Sequence, residues 1–205
     1  MNRNYQKELE KLLDREQNEG RIPRLFLHAC CAPCSSYVLE YLSQYFEITI
    51  FFYNPNIFPD EEYKKRAEEL RRMIKEMEFI HPVKFEEGEY RPEDFFAMAK
   101  GLEEEAEGGR RCFACYRMRM EEAAKKAREG GYDYFTTTLS ISPLKNAAKI
   151  NEIGEELADI YEVEHLPSDF KKKDGYKRSI ELSRQYNLYR QDYCGCVFSK
   201  KNKKN

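Results

Sequence analysis

Arg24-Leu25-Phe26-Leu27-His28-Ala29-Cys30-Cys31-Ala32-Pro33-Cys34-Ser35-Ser36-Tyr37-Val38-Leu39 changes character halfway along. Its first six residues form a short β-like run dominated by apolar residues, the pattern of a strand covered on both faces in a parallel sheet. Beyond the cysteines a helical pattern begins, with Ser35 expected as its N-cap and an end near Tyr45. A strand running straight into a helix, with three thiols at the junction, places reactive groups beyond the carboxyl end of the strand. That is the edge at which open parallel sheets bind ligands. Cys30 and Cys31 fall at the end of the strand, and Cys34 at the helix start, where the dipole and free N–H groups favour a thiolate.

Outward from this unit the alternation repeats. A charged helix over about Asn4 to Gln17 precedes it. Glu47 to Tyr53 is a second strand, broken by Asn54-Pro55-Asn56, and Asp60 opens a helix with Tyr63, Leu70, Met73 and Met77 on one face. A strand near Val83 to Glu86 follows, then a helix from Pro92 to about Glu105, with Gly108-Gly109 closing that region. Cys115 to Arg128 is expected to be helical, Tyr132 to Thr138 a strand, Pro143 to Ile160 a helix, Tyr161 to Leu166 a strand and Tyr176 to Tyr186 a final helix. The pattern predicts one α/β domain over 1–205, a Rossmann-like open parallel sheet with flanking helices and a metal site at the carboxyl edge of its strands. Residues 1–20 are expected to be an N-terminal helical extension and 199–205 a basic tail.

Formal charge is −2 over 205 residues, which neither demands nor excludes a nucleic-acid partner. From Ser168 onward, eleven Lys or Arg stand against four Asp or Glu, a local surplus suited to phosphates or to a solvated tail. Lys171, Lys172, Lys173, Lys177 and Arg178 are expected as its phosphate-facing part. Apolar runs are too short to span a bilayer and the first residues are charged rather than signal-like, so no membrane association and a cytoplasmic location are expected.

The seven cysteines fall into Cys30-Cys31-x-x-Cys34, Cys112-x-x-Cys115 and Cys194-x-Cys196. Seven thiols cannot all pair within one chain, and disulfides are uncommon in reducing cytosol. Thiolates gathered from distant segments are what iron or zinc requires. Cys112 and Cys115 lie one helical turn apart, and Gly195, free to take positive φ, lets a tight loop turn Cys194 and Cys196 the same way. One tetrahedral zinc or one cubane cluster uses about four sulfurs, which leaves three for a second metal. The remaining alternatives are a structural zinc site and a thioredoxin-like redox pair at Cys31-Ala32-Pro33-Cys34. Neither a G-x-G-x-x-G fingerprint nor a P-loop is present, so nucleotide cofactor binding is not supported.

His28-Ala29-Cys30-Cys31-Ala32-Pro33, Phe52-Tyr53-Asn54-Pro55-Asn56-Ile57, Arg111-Cys112-x-x-Cys115, Thr136-Thr137-Thr138-Leu139 with Ser142-Pro143-x-Lys145-Asn146, and Tyr189-Arg190-Gln191-x-Tyr193-Cys194-Gly195-Cys196-Val197-Phe198 together resemble the QueH family of epoxyqueuosine reductases. The resemblance implies a cobalamin-independent oxidoreductase for the last step of queuosine biosynthesis. It would deoxygenate epoxyqueuosine at the tRNA wobble position with electrons from an external donor. It also implies a [4Fe-4S] cluster beside a mononuclear iron, in a fold similar to the adenine nucleotide hydrolase group. A division of ligands is expected in which Cys34, Cys112, Cys115 and one of Cys30 and Cys31 hold the cluster, while the other joins Cys194 and Cys196 on the iron. His28 and Tyr193 are candidate proton donors. Asn54, Asn56, Lys145 and Arg190 are candidate substrate contacts, and the hydroxyls from Thr136 to Ser142 a candidate phosphate site. The competing functions are a zinc-stabilised RNA-binding module and a tRNA sulfur-transfer enzyme.

Overall fold

The computed structural model describes residues 3–201. Five parallel strands form its centre: β1 (Arg24–His28), β2 (Glu47–Phe52), β3 (Val83–Glu87), β4 (Tyr134–Thr137) and β5 (Glu164–His165), in the order β3-β2-β1-β4-β5. Register follows from Leu27 opposite both Ile50 and Thr136. The helices are α1 (Tyr5–Asn18), α2 (Ala32–Leu42), α3 (Asp60–Glu76), α4 (Pro92–Ala99), α5 (Arg110–Glu129), α6 (Ala147–Tyr161), α7 (Gly175–Gln185) and α8 (Val197–Lys201).

Side-chain alternation along the strands builds two cores. Leu25, Leu27, Ile48, Ile50, Phe52 and Tyr134 point to one face, against Leu9 and Leu13 of α1, Val38 and Leu39 of α2, and Leu70 and Met73 of α3. Phe26, Phe51 and Phe135 point to the other, against Met120 and Ala123 of α5 and Ile150 and Leu157 of α6. Leu9 and Leu13 are buried in the first of these clusters, so α1 contributes to the same core as the sheet.

Several boundaries differ from the sequence expectation. The N-cap of α2 is Cys31, in extended conformation, and Ser35 lies inside the helix, its hydroxyl donating to the Cys31 carbonyl at 2.8 Å. Pro33 occupies the first turn, where a missing N–H costs nothing, and so moves the start forward. Helix α4 stops at Ala99, because the chain turns at Gly101 with φ +82. Helix α5 begins at Arg110, which brings Cys112 into its first turn. Helix α6 begins after Asn146, whose side chain accepts from the Lys149 N–H, so Pro143 precedes it. Strand β5 shrinks to two residues. Val197–Lys201 is a short helix where a basic tail was expected from 199, and 202–205 lie outside the described residues.

Candidate metal centre

The order β3-β2-β1-β4-β5 reverses direction between β1 and β4, and parallel sheets open a crevice beyond the carboxyl ends of their strands at such a point. A cavity of ≈ 400 Å³ stands there, lined by Cys30, Cys34, Cys112, Cys115, Cys194 and Cys196 together with Arg111, Arg119 and Lys145. All seven cysteines are free. The sulfurs of Cys30, Cys31 and Cys34 lie within 4.8 Å of one another, and among the described residues they are the one group of three or more Cys, His, Asp or Glu drawn so close. Convergent thiols without a disulfide are the donor set of a soft metal, so these residues fit a metal or an iron–sulfur group.

Three segments deliver the thiols. Cys30 and Cys31 leave β1, and Cys34 sits in the first turn of α2. Cys112 and Cys115 project from the start of α5, where the Gly108 N–H donates to Cys112 Sγ at 3.2 Å. The last pair is held by α3. Arg66, paired with Glu62 at 2.7 Å, donates to the Cys194 carbonyl at 3.1 Å and the Tyr193 carbonyl at 3.4 Å. Glu69 accepts the Tyr189 N–H at 2.6 Å, and Arg72 donates to the Tyr186 carbonyl at 3.1 Å. Gly195 adopts φ +106, and a Cβ there would come within 2.8 Å of Ile57 Cγ1. Its freedom is therefore required twice, for the turn and for the close approach.

Charge within the thiol groups is uneven. Contacts with Cys31 and Cys34 hold the Cys30 thiol well below the usual range, whereas the contact with Cys30 pushes Cys31 up to about 12 and Cys34 upward. The lowered thiol expected at Cys34 is therefore not found: its contacts with Cys30 and Cys31, and its burial, raise it. In the last pair Cys194 is lowered by its contact with Cys196, and Cys196 is raised by the same contact. A bound cation reverses this sharing by letting every thiol ionise.

The remaining candidates separate clearly. His28 is fully buried and does not line the cavity. Its Nε2–H donates to the Tyr53 carbonyl at 3.0 Å, leaving Nδ1 to accept from the Thr137 hydroxyl at 2.8 Å. Burial above all, then the charge of Arg119, pushes its pKa down to about 3, so the ring is neutral. Asn54 also lies behind the wall, donating to the Ala29 carbonyl at 2.8 Å and accepting from Arg119 at 3.3 Å. Asn56, Lys145, Arg190 and Tyr193 do line the cavity. Asn56 Oδ1 is buried without a hydrogen-bond partner, as is Oε1 of Gln191 on the same wall. Thr136, Thr137 and Ser140 are bonded internally to Leu166, His28 and Ser168, so of the expected phosphate hydroxyls Ser142 is the one on the cavity wall. Lys171, Lys173 and Arg178 of the basic patch pair with Asp169, Glu10 and Glu40.

Sequence reasoning missed Arg119. It lies one helical turn beyond Cys115, and its Nε donates to the Cys115 carbonyl at 3.2 Å. The Cys-x-x-x-Arg spacing was the available signal, since i and i+4 share a helix face.

Fold and site define a parallel α/β protein with a cysteine-lined metal-type cavity at the switch point of its sheet. The model of the family described as epoxyqueuosine reductase QueH matches residues 25–202, and the chain belongs to that family. It is 50% identical over 200 residues to the epoxyqueuosine reductase QueH of Staphylococcus epidermidis, covering 96% of this chain and 84% of the relative. To that of Streptococcus pyogenes it is 43% identical over 200 residues, covering 97% and 78%. To that of Thermotoga maritima it is 36% identical over 181 residues, covering 85% and 89%. No helix among the described residues is long and apolar enough to cross a membrane.

Proposed function

We infer that this protein is an epoxyqueuosine reductase, acting on the wobble nucleoside of tRNA. One observation carries the reading: in a chain of this family, six of seven free thiols face one cavity at the sheet's switch point. The reaction breaks both C–O bonds of the epoxide and forms a C=C bond. Two electrons from an external donor and two protons release the oxygen as water.

When bound, a [4Fe-4S] cluster would supply electrons singly, and an adjacent mononuclear iron would supply Lewis acidity toward the epoxide oxygen. The ligands are Cys30, Cys31, Cys34, Cys112, Cys115, Cys194 and Cys196. The closeness of Cys30, Cys31 and Cys34 supports keeping that triad whole, which leaves Cys112, Cys115, Cys194 and Cys196 to match the count of a cubane cluster. Cys34→Ser distinguishes this from the division expected from sequence: with the triad whole it lowers iron and leaves sulfide intact, whereas loss of sulfide places Cys34 on the cluster.

The chain's own side chains bind and orient the nucleoside. Asn56 Oδ1 and Gln191 Oε1 are buried acceptors without a donor, so a substrate hydroxyl or amine satisfies both. Leu144 and Tyr176 are exposed on the cavity wall, 77% and 38%, and form a surface for an unstacked neighbouring base. Lys145 and Arg190 offer cations to phosphate or to the departing oxygen, and Tyr193 a phenol. The cytoplasm, where tRNA is abundant, is the proposed location.

Anaerobic purification with iron, sulfide and zinc analysis, followed by reaction with epoxyqueuosine-containing tRNA and a chemical reductant, tests the reading. About five irons and four sulfides per chain, with loss of one oxygen from the nucleoside by mass, is the expected result. Zinc without sulfide, and an unchanged nucleoside, would overturn it in favour of a zinc-stabilised RNA-binding module.

A further inference from the structure

Arg111, Arg119 and Lys145 all line the cysteine cavity, and among the described residues none lies within ion-pair distance of a carboxylate. Arg66, on the same wall, does have one in Glu62. Arg111, 2% exposed, donates to three backbone carbonyls, those of Leu102, Glu103 and Glu105, whereas Arg119 has two neutral acceptors. Arg119 is 3% exposed, it cannot shed its proton, and an uncompensated buried guanidinium is costly. Its protein partners are both neutral: the Cys115 carbonyl at 3.2 Å and Asn54 Oδ1 at 3.3 Å. Asn54 is itself anchored to the Ala29 carbonyl at 2.8 Å, at the exit of β1 and one residue before Cys30. Two tethers from different elements therefore hold the cation in place. The same wall carries Cys30, Cys34, Cys112, Cys115, Cys194 and Cys196, so the guanidinium borders the space that a thiolate-bound metal would occupy.

We propose that Arg119 is a fixed counter-charge for the cysteine-bound metal centre and sets its reduction potential, with Asn54 and the Cys115 carbonyl holding it in position. The proposal rests on the redox function inferred above and names a positioning residue for it. A centre that accepts an electron becomes more negative, so a cation held nearby in a water-poor wall stabilises the reduced form and makes the potential less negative. Lys145 is half-buried on the same wall, and its ammonium, on a flexible stem, is left for the substrate. Arg119 has both of its anchors in the protein and little solvent access.

Anaerobic redox titration of the reconstituted protein, with metal and sulfide assayed on the same samples, tests the assignment. Arg119→Met should keep its iron and sulfide while its reduced-to-oxidised ratio at the wild-type midpoint falls at least about tenfold, a negative shift of about 59 mV for a one-electron couple. Arg119→Lys should restore most of that shift. Asn54→Asp sets a carboxylate against the guanidinium without emptying the space. It should move the potential in the same negative direction, which provides the reading should Arg119→Met fold poorly. An unchanged midpoint with intact metal content in these variants overturns the proposal. Wild-type protein that takes up zinc and no iron overturns the redox function instead. The counter-charge is then read from zinc release, where Arg119→Met should lose zinc to at least about tenfold less chelator and an identical release curve overturns the assignment.

Discussion

Glu16 and Arg119 are both buried charges, 1% and 3% exposed, and they stand at opposite edges of the same sheet. Glu16 lies at the amino edge, beside the first residue of β4. Its Oε1 accepts from the Tyr134 hydroxyl at 2.7 Å and from Arg15 at 3.0 Å, and its Oε2 from Arg21 at 2.6 Å. Every lone pair that matters is answered from within the chain, and the result is a lock between α1 and the sheet. Arg119, at the carboxyl edge, has a carbonyl and an amide for partners and thiols for company. Buried charge that closes on itself holds a fold together, whereas buried charge left open beside a cavity marks where a group of opposite charge belongs.

The sharpest way to break this comparison is at the open edge. Cys30→Ser removes one sulfur of the close triad with Cys31 and Cys34. Outer-shell changes at metal sites cost about 10–100-fold, so loss of this proposed ligand should reduce deoxygenation by more than about 100-fold, with lower iron per chain by colorimetric assay. A variant with full iron and activity would remove Cys30 from the centre.

Gly195→Ala tests whether the last cysteine pair depends on its turn. A side chain at φ +106 is strained, and its Cβ would press on Ile57, so a loss of about 1–3 kcal/mol in chemical denaturation is expected, together with reduced metal content. Full metal retention would show that the turn serves packing alone.

At the closed edge the expected effect is smaller and of a different kind. Glu16→Gln weakens the two arginine contacts, both with half-exposed guanidinium groups, and should cost about 1–2 kcal/mol by urea denaturation while iron stays constant. Burial alone would raise the Glu16 pKa, but Tyr134, Arg21 and Arg15 together lower it. Its contribution is therefore fully present above the unfolded value near about 4.3 and is lost as pH falls through the lower folded value. Glu16→Gln should remove that part of the acid limb. Iron loss in this variant would collapse the distinction between the two edges.

The smallest effect at neutral pH concerns His165, buried on β5 with neither ring nitrogen hydrogen-bonded, its pKa pushed by burial down to about 3. Because the unfolded ring takes a proton near about 6.5 and the folded ring does not, stability should fall by up to about 1.4 kcal/mol per pH unit between about 6.5 and about 3 on this account. His165→Leu should flatten that slope, seen in denaturation midpoints at pH 7 and pH 5; an unaltered slope would assign it elsewhere.

The fold was legible in the chain wherever a local pattern carried the signal. The apolar runs at Leu25, Ile48 and Phe135 became strands, and the spacing of Tyr63, Leu70 and Met73 became the buried face of α3. Helix starts were less legible, because Pro33 and Asn146 displace Ser35 and Pro143 through first-turn chemistry that competing polar residues obscure. The cysteines were read as three groups converging on metal, and the structure brings six of the seven to one cavity. Which candidates face that cavity was not legible. Asn54 and Asn56 are two residues apart, yet one supports Arg119 from behind the wall and the other lines it with an unpartnered oxygen.

By itself, the sequence determined the donor chemistry, the parallel α/β pattern and the need for glycine at 195, since residue type, periodicity and positive φ are local properties. The tertiary structure alone decided that Glu62, Arg66, Glu69 and Arg72 of α3 grip the segment bearing Cys194, that His28 is sealed behind the wall, and that Arg119 meets thiols instead of a carboxylate. Those outcomes depend on contacts between segments up to 128 positions apart, set by the order of the strands and by how the helices pack upon them.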